Sequence, residues 1–217
     1  MTNDRMTNDT MTKHLYIIRH GQTDLNKQGI IQGRGIDAGL NEEGRNQADL
    51  FFRAYKSVPF DKIYISTLQR TQQSIQHFID LGILYEKLPG LDELGWGIYE
   101  GTLPTPETRA AFATIARHWQ EGCLDEKFEN GESPNDVNKR QQEALKIILS
   151  HREEKTVLIC MHGRALRLLL CQLTNVPLSE MDKFPHQNLI LYKVNYDYDS
   201  DKFEIVGYND ANHLKLA

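Results

Sequence analysis

A chain of 217 residues fits one domain or a tight pair, with enough length to bury a core without metal or disulfide support. Apolar residues make up 40%, about 47% with glycine included, an ordinary globular composition that excludes a disordered, collagenous or coiled-coil chain. With 25 Lys and Arg against 30 Asp and Glu, the net charge is -5 and the pI near 5.9, so no overall positive field draws the chain onto nucleic acid or an anionic membrane, although a local basic pocket stays open.

In chain order, the first eleven residues read MTNDRMTNDTM, a polar duplication with no apolar face, and residues 1 to 12 are expected to be a disordered leader or an early start, with Met1, Met6 and Met11 as alternatives. An apolar run at 14 to 18 predicts a strand, 42 to 57 a helix, 61 to 65 a second strand, and 68 to 81 a helix ending at Gly82. Residues 83 to 105 carry Gly and Pro without clean periodicity, which suits a loop over a site. Pro106 opens a helix reaching about Gln120 and closed by Gly122. Ser133-Pro134 reads as an N-cap followed by proline in the first turn, starting a helix over 134 to 151. A strand over 156 to 161 and a helix over 164 to 174 follow, and 188 to 194 with 202 to 208 reads as an antiparallel hairpin at a sheet edge. Alternating strands and helices imply a mostly parallel sheet covered on both faces. The expectation is one α/β domain over 13 to 217, with a helical insertion at about 95 to 135.

Cys123, Cys160 and Cys171, spaced by 37 and 11 residues, match neither a disulfide framework nor a zinc ligand pair, and read as reduced, buried thiols. No apolar run approaches the ~18 residues of a membrane span, and the run Leu15-Tyr16-Ile17-Ile18 is too short for a signal-peptide core. A cytoplasmic location is expected.

Two segments share one design. HLYIIRHG (14 to 21) and TVLICMHG (156 to 163) each run an apolar strand directly into His-Gly. Ligands bind at the carboxyl ends of strands in open parallel sheets, so His20 and His162 are expected to face one another across that edge. A lone histidine is usually structural, and the pairing reverses that expectation. Arg19 precedes His20, while Gln22, Thr23 and Asn26 follow it on a loop leaving a strand, a setting that suits an anion such as phosphate. Arg70, in the turn STLQRTQQS after the second strand, returns to the same edge or is a solvated helix-start arginine. In GLDELGWGIYEG (90 to 101), Asp92, Glu93 and Glu100 lie near Trp96 and Tyr99, where a carboxyl group can become a general acid, with surface acids as the alternative. GRGIDAG (33 to 39) is not a dinucleotide fingerprint, since its glycines are misplaced and no strand precedes them directly.

Together these segments resemble the histidine phosphatase superfamily, also called the phosphoglycerate mutase-like family, over about 13 to 213. RHGQTDLN (19 to 26), IIQGRGIDAGLNEEGRNQA (30 to 48), STLQRTQQS, LDELGWGIYEG and MHG (161 to 163) carry the resemblance, with Arg70, Glu93 and His162 following His20 by 50, 73 and 142 residues. It implies a three-layer α/β/α fold with a mostly parallel central sheet and a C-terminal antiparallel hairpin. His20 is then the nucleophile that forms a phosphohistidine, Arg19, Arg70 and His162 hold the phosphoryl oxygens, Asn26, Gln32, Thr23 and Gly163 complete the phosphate site, and Glu93 is the acid and base.

Imidazole attacks phosphorus only when its nitrogen is unprotonated, so His20 has to be neutral with its other N–H on a backbone carbonyl, and the neighbouring glycine leaves space for the attack. Two arginines and a protonated His162 supply the charge that phosphoryl transfer needs, so neither a metal nor a cofactor is expected. The expected activity is a metal-independent phosphomonoesterase acting on a small phosphorylated metabolite, with inorganic phosphate as the other occupant. No paired-arginine segment follows Glu93 before the helix near 134, and the stretch from Glu93 to His162 is short, which disfavours the alternative of a cofactor-dependent phosphoglycerate mutase. A catalytically silent phospho-ligand-binding domain is the remote third reading. Arg164 extends the basic pocket or turns outward, Ser133 caps a helix or touches substrate, and His213, in the tail NDANHL, has no derivable role. Substrate identity and oligomeric state, a homodimer included, stay open.

Overall fold

In a computed structural model, residues 11–215 are described. Six strands form one sheet: β1 (Thr12–Arg19), β2 (Lys62–Ile65), β3 (Tyr85–Lys87), β4 (Thr156–Met161), β5 (Leu191–Asp197) and β6 (Lys202–Asp210), in the order β3-β2-β4-β1-β5-β6. β1 to β4 run parallel, and the β5–β6 hairpin joins β1 antiparallel and closes that edge. Of the leader expected over 1 to 12, residues 1 to 10 lie outside the described residues, while Thr12 already pairs with Asp197 in β1.

Strand side chains alternate between two cores, which is what a sheet buried on both faces requires. Leu15, Ile17, Tyr64, Val157, Ile159 and Met161 share one cluster with α6 (Pro134–Ser150) and α7 (Gly163–Thr174). Ile18, Ile63, Ile65, Leu158 and Cys160 share the other with Phe51 of α2 (Glu42–Tyr55) and with Ile75 and Phe78. The protein is thus a three-layer α/β/α sandwich with a mostly parallel sheet. Between β3 and α6 lies α5 (Pro106–Gln120), whose Trp119 stacks on Trp96 with ring centroids 5.9 Å apart.

Three departures from the expected elements have identifiable causes. A five-residue helix, α1 (Asp24–Gln28), follows Thr23, too short for a hydrophobic period but carrying a capping box with Asn26 and a left-handed Gly29. β3 has three residues, too few to show alternation. The helix expected over 68 to 81 is two, α3 (Gln69–Ser74) and α4 (Gln76–Asp80), broken at Ile75. Ser74 explains the break: its hydroxyl bonds back to the Arg70 carbonyl at 2.6 Å and accepts from the Gly21 N–H at 2.9 Å, and such back-bonding bends helices. Ser133 is an N-cap, its hydroxyl accepting from Asp136 N at 3.1 Å. Cys160 and Cys171 are buried thiols, but Cys123, just past α5, is exposed. Among the described residues no helix is long and apolar enough to cross a membrane.

Candidate active site

β1 and β4 are adjacent and end in register, Arg19 opposite Met161, and the His20 N–H donates to the Met161 carbonyl at 3.0 Å. Both strands release a histidine at that point, so the His20 and His162 rings lie 5.0 Å apart, both buried. The antiparallel β5 begins where β1 ends, and so delivers the turn before it, His186 to Ile190, to the same edge. Asn188 donates to the His20 carbonyl at 2.9 Å and the Leu189 N–H to the Arg19 carbonyl at 3.0 Å.

His20 Nδ1 donates to the Gly21 carbonyl at 2.7 Å, which fixes the tautomer and leaves Nε2 as a lone-pair nitrogen. Burial, reinforced by Arg70 and Arg19, holds its pKa well below the ordinary imidazole value, so the ring is neutral at pH 7. The glycine after it serves helix packing: a Cβ on Gly21 would meet the Gly44 carbonyl at 2.6 Å, and one on Gly44 would meet the Gln22 carbonyl at 2.1 Å. Only glycine at both positions lets α2 approach this closely.

The expected protonated His162 is corrected by its partners. Its Nδ1 accepts from Arg70 Nε at 3.1 Å and its Nε2 faces Ser66 Oγ at 2.7 Å, an arrangement that gives the ring one proton, on Nε2. Burial first, then Arg70, His20 and Arg19, push its pKa well below normal. Arg70 is itself buried; its terminal nitrogens donate to the Ile36 carbonyl at 2.6 Å and the Gly33 carbonyl at 3.3 Å, which uses three of five N–H groups and leaves two.

Arg19 is in the opposite condition. Its Nε is shut off from solvent with no acceptor, and its Nη1 reaches only His186 Nδ1, at 3.5 Å. Burial lowers its pKa to about 10, so it stays charged at neutral pH. A shielded cation with so few acceptors is what an anion site looks like before the anion arrives.

Of the loop donors, Thr23 is fully buried and its hydroxyl accepts from Asn26 N at 3.1 Å and Gln32 Nε2 at 2.7 Å, so it organises the loop. Asn26 Oδ1 accepts from Asn188 at 3.3 Å, which turns its amide nitrogen away as a donor. Gln32 Oε1 is buried without a partner. With the amide reversed, Oε1 would accept from the Thr23 hydroxyl and the NH2 would take the place of the orphan oxygen.

Glu93 meets α7 at its first turn. Its carboxylate accepts from Ala165 N at 2.9 Å and Arg164 N at 3.2 Å, two of the N–H groups a helix start leaves unpaired, and from Leu94 N at 2.9 Å. The Gly163 N–H is not among these three. The other acids of the segment serve the scaffold: Asp92 accepts from Thr67 N at 2.8 Å, and Glu100 from Trp96 N at 2.9 Å. Arg140 of α6 secures the Glu93 loop, donating to the carbonyls of Gly90, Asp92 and Glu93, each at 2.9 Å, and to Glu132 at 3.0 Å.

Sequence reasoning missed Ser66, Ser74, Arg140, His186 and Asn188. The last two had a signal, since a hairpin whose first strand pairs antiparallel with β1 must begin at the carboxyl end of β1. His213, left without a role, donates from Nε2 to the Leu189 carbonyl at 2.8 Å and packs edge-on against Phe51 at 5.2 Å. Leu189 has φ +53°, a conformation that costs a side-chain-bearing residue energy, so His213 holds a strained turn at the site edge.

An α/β sandwich with two neutral histidines, a buried and a half-buried arginine and a carboxylate at the carboxyl ends of parallel strands defines an enzyme class that handles a small anion. The sequence matches the histidine phosphatase superfamily (branch 1) over residues 15–211, and the chain belongs to that superfamily. It is 27% identical over 204 residues to a putative phosphoserine phosphatase 2 of Hydrogenobacter thermophilus, covering 94% of this chain and 98% of that one. A probable phosphatase of Schizosaccharomyces pombe is 35% identical over 112 residues, a match spanning about half of each protein, 50% of this chain and 52% of that one. The structure of YhfR from Bacillus stearothermophilus superposes with a TM-score of 0.80 at 28% identity, covering 93% of this chain and 99% of that one.

Proposed function

We propose that the protein is a metal-independent phosphomonoesterase that hydrolyses a small phosphorylated metabolite through a phosphohistidine on His20. The observation that carries this reading is the pairing of a neutral His20, its Nδ1–H committed to Gly21, with the acceptor-starved Arg19 beside it. His20 Nε2 forms the bond to phosphorus as the ester P–O bond breaks, and Glu93 gives its proton to the departing alkoxide. Water then attacks the phosphohistidine, Glu93 takes back a proton, and phosphate leaves with His20 restored. Charge on the equatorial oxygens is met by Arg19, the two remaining Arg70 N–H groups and the Gly163 N–H, in a site already desolvated. His162 contributes as a neutral ring aligned by Arg70 and Ser66, and a dianion arriving between the arginines raises its proton affinity.

The test is turnover of a panel of phosphate monoesters with and without a chelator, following free phosphate and phosphoglycerate isomerisation together. Phosphate release that survives chelation is expected, and primer-dependent isomerisation without release would overturn the reading in favour of a mutase. In His20→Ala, turnover is expected to fall at least about a thousandfold and the acid-labile phosphoenzyme to vanish.

A further inference from the structure

Around the phosphoryl site the neighbouring arginines already have carboxylates. Arg164 and Arg167 on α7 both donate to Asp182 Oδ1, at 2.8 and 2.5 Å, and Arg34 and Arg140 share Glu132. What the mechanism leaves without a role is a pair of hydroxyls behind the site. Ser66, the residue after β2, and Thr71, in α3 directly after Arg70, are fully buried, as is His162 in front of them. A buried hydroxyl must place its one hydrogen and both lone pairs, so its neighbours dictate which way it points.

The direction of every hydrogen bond in this group follows from one end. The Arg70 guanidinium has donors only, so His162 Nδ1, 3.1 Å from Arg70 Nε, is an acceptor. A neutral ring with a bare Nδ1 carries its proton on Nε2, and that proton points at Ser66 Oγ, 2.7 Å away. Ser66 Oγ also accepts from the Leu68 N–H at 3.1 Å, so both of its lone pairs are used. Its own hydrogen is left with Thr71 Oγ1, at 3.4 Å the longest link of the set. Thr71 has a lone pair to offer because its hydroxyl donates to backbone carbonyls, Leu68 at 2.8 Å and Ser66 at 3.3 Å. Hydrogens therefore run from Arg70 to His162, to Ser66, to Thr71, and stop at a backbone carbonyl.

A chain that ends on a carbonyl in the core carries no proton to solvent, so its effect is on geometry. His20 is fixed by a backbone carbonyl, an acceptor that cannot reverse, whereas His162 is fixed by a hydroxyl, which can. If the Ser66 hydroxyl turned to donate to Nε2, the ring proton would move to Nδ1 and meet the Arg70 Nε–H, donor against donor. Arg70 would then leave the ring, and its two uncommitted N–H groups would lose their aim. We propose that Ser66 and Thr71 are positioning residues for the phosphoryl site: Thr71 keeps the Ser66 hydroxyl turned away from the ring, Ser66 keeps the His162 proton on Nε2, and the bare Nδ1 aims Arg70. The proposal rests on the reading of this pocket as a phosphate site and adds to it two side chains that touch no ligand.

Long-range proton–nitrogen NMR spectra of the wild-type protein at pH 7.5 are expected to show His162 protonated on Nε2 alone, and a proton on Nδ1 overturns the proposal. Inorganic phosphate titrated calorimetrically into the same samples reads the aim of Arg70. Thr71→Val keeps the shape and removes the acceptor, so it is expected to populate the Nδ1-protonated ring and weaken phosphate about fivefold, while Thr71→Ser restores both. Ser66→Ala should weaken phosphate at least about tenfold. Because Thr71 acts through Ser66, adding Thr71→Val to Ser66→Ala should change the affinity by less than about twofold. The same loss from Thr71→Val in both backgrounds, a Thr71→Ser no better than Thr71→Val, or spectra and affinities unchanged in both single variants overturns the positioning chain, since packing alone predicts each of these. A wild-type protein that binds no phosphate overturns the anion site and this proposal with it. Phosphate binding without release from any ester in the panel counts against the phosphatase reading alone.

Discussion

β1 carries a buried or half-buried cation at each end, and the two are treated in opposite ways. Lys13, 1% exposed, donates to the carbonyls of Ile148 and His151, both at 2.8 Å, and lies 4.0 Å from Glu154, which in turn accepts from Tyr64 at 2.6 Å. Burial lowers its pKa, and Glu154 works against that shift. Six residues further on, roughly 20 Å along the strand, Arg19 has one shielded nitrogen without an acceptor and a neighbour in His186 that offers a single lone pair. The amino end of the sheet is therefore a finished polar cluster that holds the helix end of α6 to the strand. The carboxyl end keeps a cation short of acceptors, which under the proposed function a phosphate completes. Stability and function are thus separated along one strand, and the separation can be broken by experiment.

The largest expected effect is on acid stability and lies wholly at the carboxyl end. His20 and His162 are held well below the ordinary histidine pKa and His186 at about 3, each by burial first, so the folded protein keeps all three neutral. On unfolding they regain a pKa near 6.5 and take up protons below it, so stability is full above pH 6.5 and falls as the pH drops toward the folded values. At about 1.4 kcal/mol per histidine per unit, the loss at pH 5.5 is about 4 kcal/mol. Urea unfolding at pH 7.5 and 5.5 measures it, and a flat profile would mean that the histidines charge freely in the folded state.

Arg19→Met should lower kcat/KM by about a hundredfold or more, about 3 kcal/mol, while raising thermal stability in the absence of phosphate, since an unmatched cation is removed. Lys13→Met is expected to do the reverse: about 2 to 3 kcal/mol of stability is lost as the Ile148 carbonyl is orphaned, the His151 carbonyl keeps only the Glu154 N–H, and Glu154 loses its cation while retaining the Tyr64 hydroxyl, and kcat/KM stays within twofold of wild type. If both variants changed the same property, the division of labour along β1 would be wrong. The smallest effect belongs to His213→Ala, expected to cost about 1 to 2 kcal/mol for the lost hydrogen bond and packing and to slow turnover severalfold as the Leu189 turn relaxes. A His213→Gln variant, which still donates to that carbonyl, should recover most of the turnover, and no recovery would leave His213 with a packing role only.

How far the sequence carried depended on element length. The six-residue β4, the fifteen-residue α5 and the seventeen-residue α6 begin and end within a residue of their expected bounds, because β4 is one continuous apolar run and each helix spans several turns and carries its own N-cap, Thr105 or Ser133. The Asp24–Gln28 helix and β3 show no period, and the kink at Ile75 depends on a hydrogen bond from Gly21, 53 residues away, to Ser74. The paired strand-His-Gly segments made the facing of His20 and His162 legible, because parallel neighbours must end at one edge. The protonation of His162 was misjudged, since a net count of nearby charge does not tell which ring nitrogen accepts from Arg70.

What the sequence determined by itself is the strand and helix order, the overall acidity at -5, and the identity of the chemical groups delivered to the carboxyl edge. Those follow from local periodicity and composition, which need no knowledge of distant partners. The tertiary structure alone decided which of those groups are satisfied and which are left wanting: Lys13 saturated, Arg19 open, Glu93 bound to the start of α7, and two α7 arginines sharing one aspartate. Satisfaction of a polar group is a property of neighbours tens of residues away in the chain, fixed only when the sheet and its helices close around them.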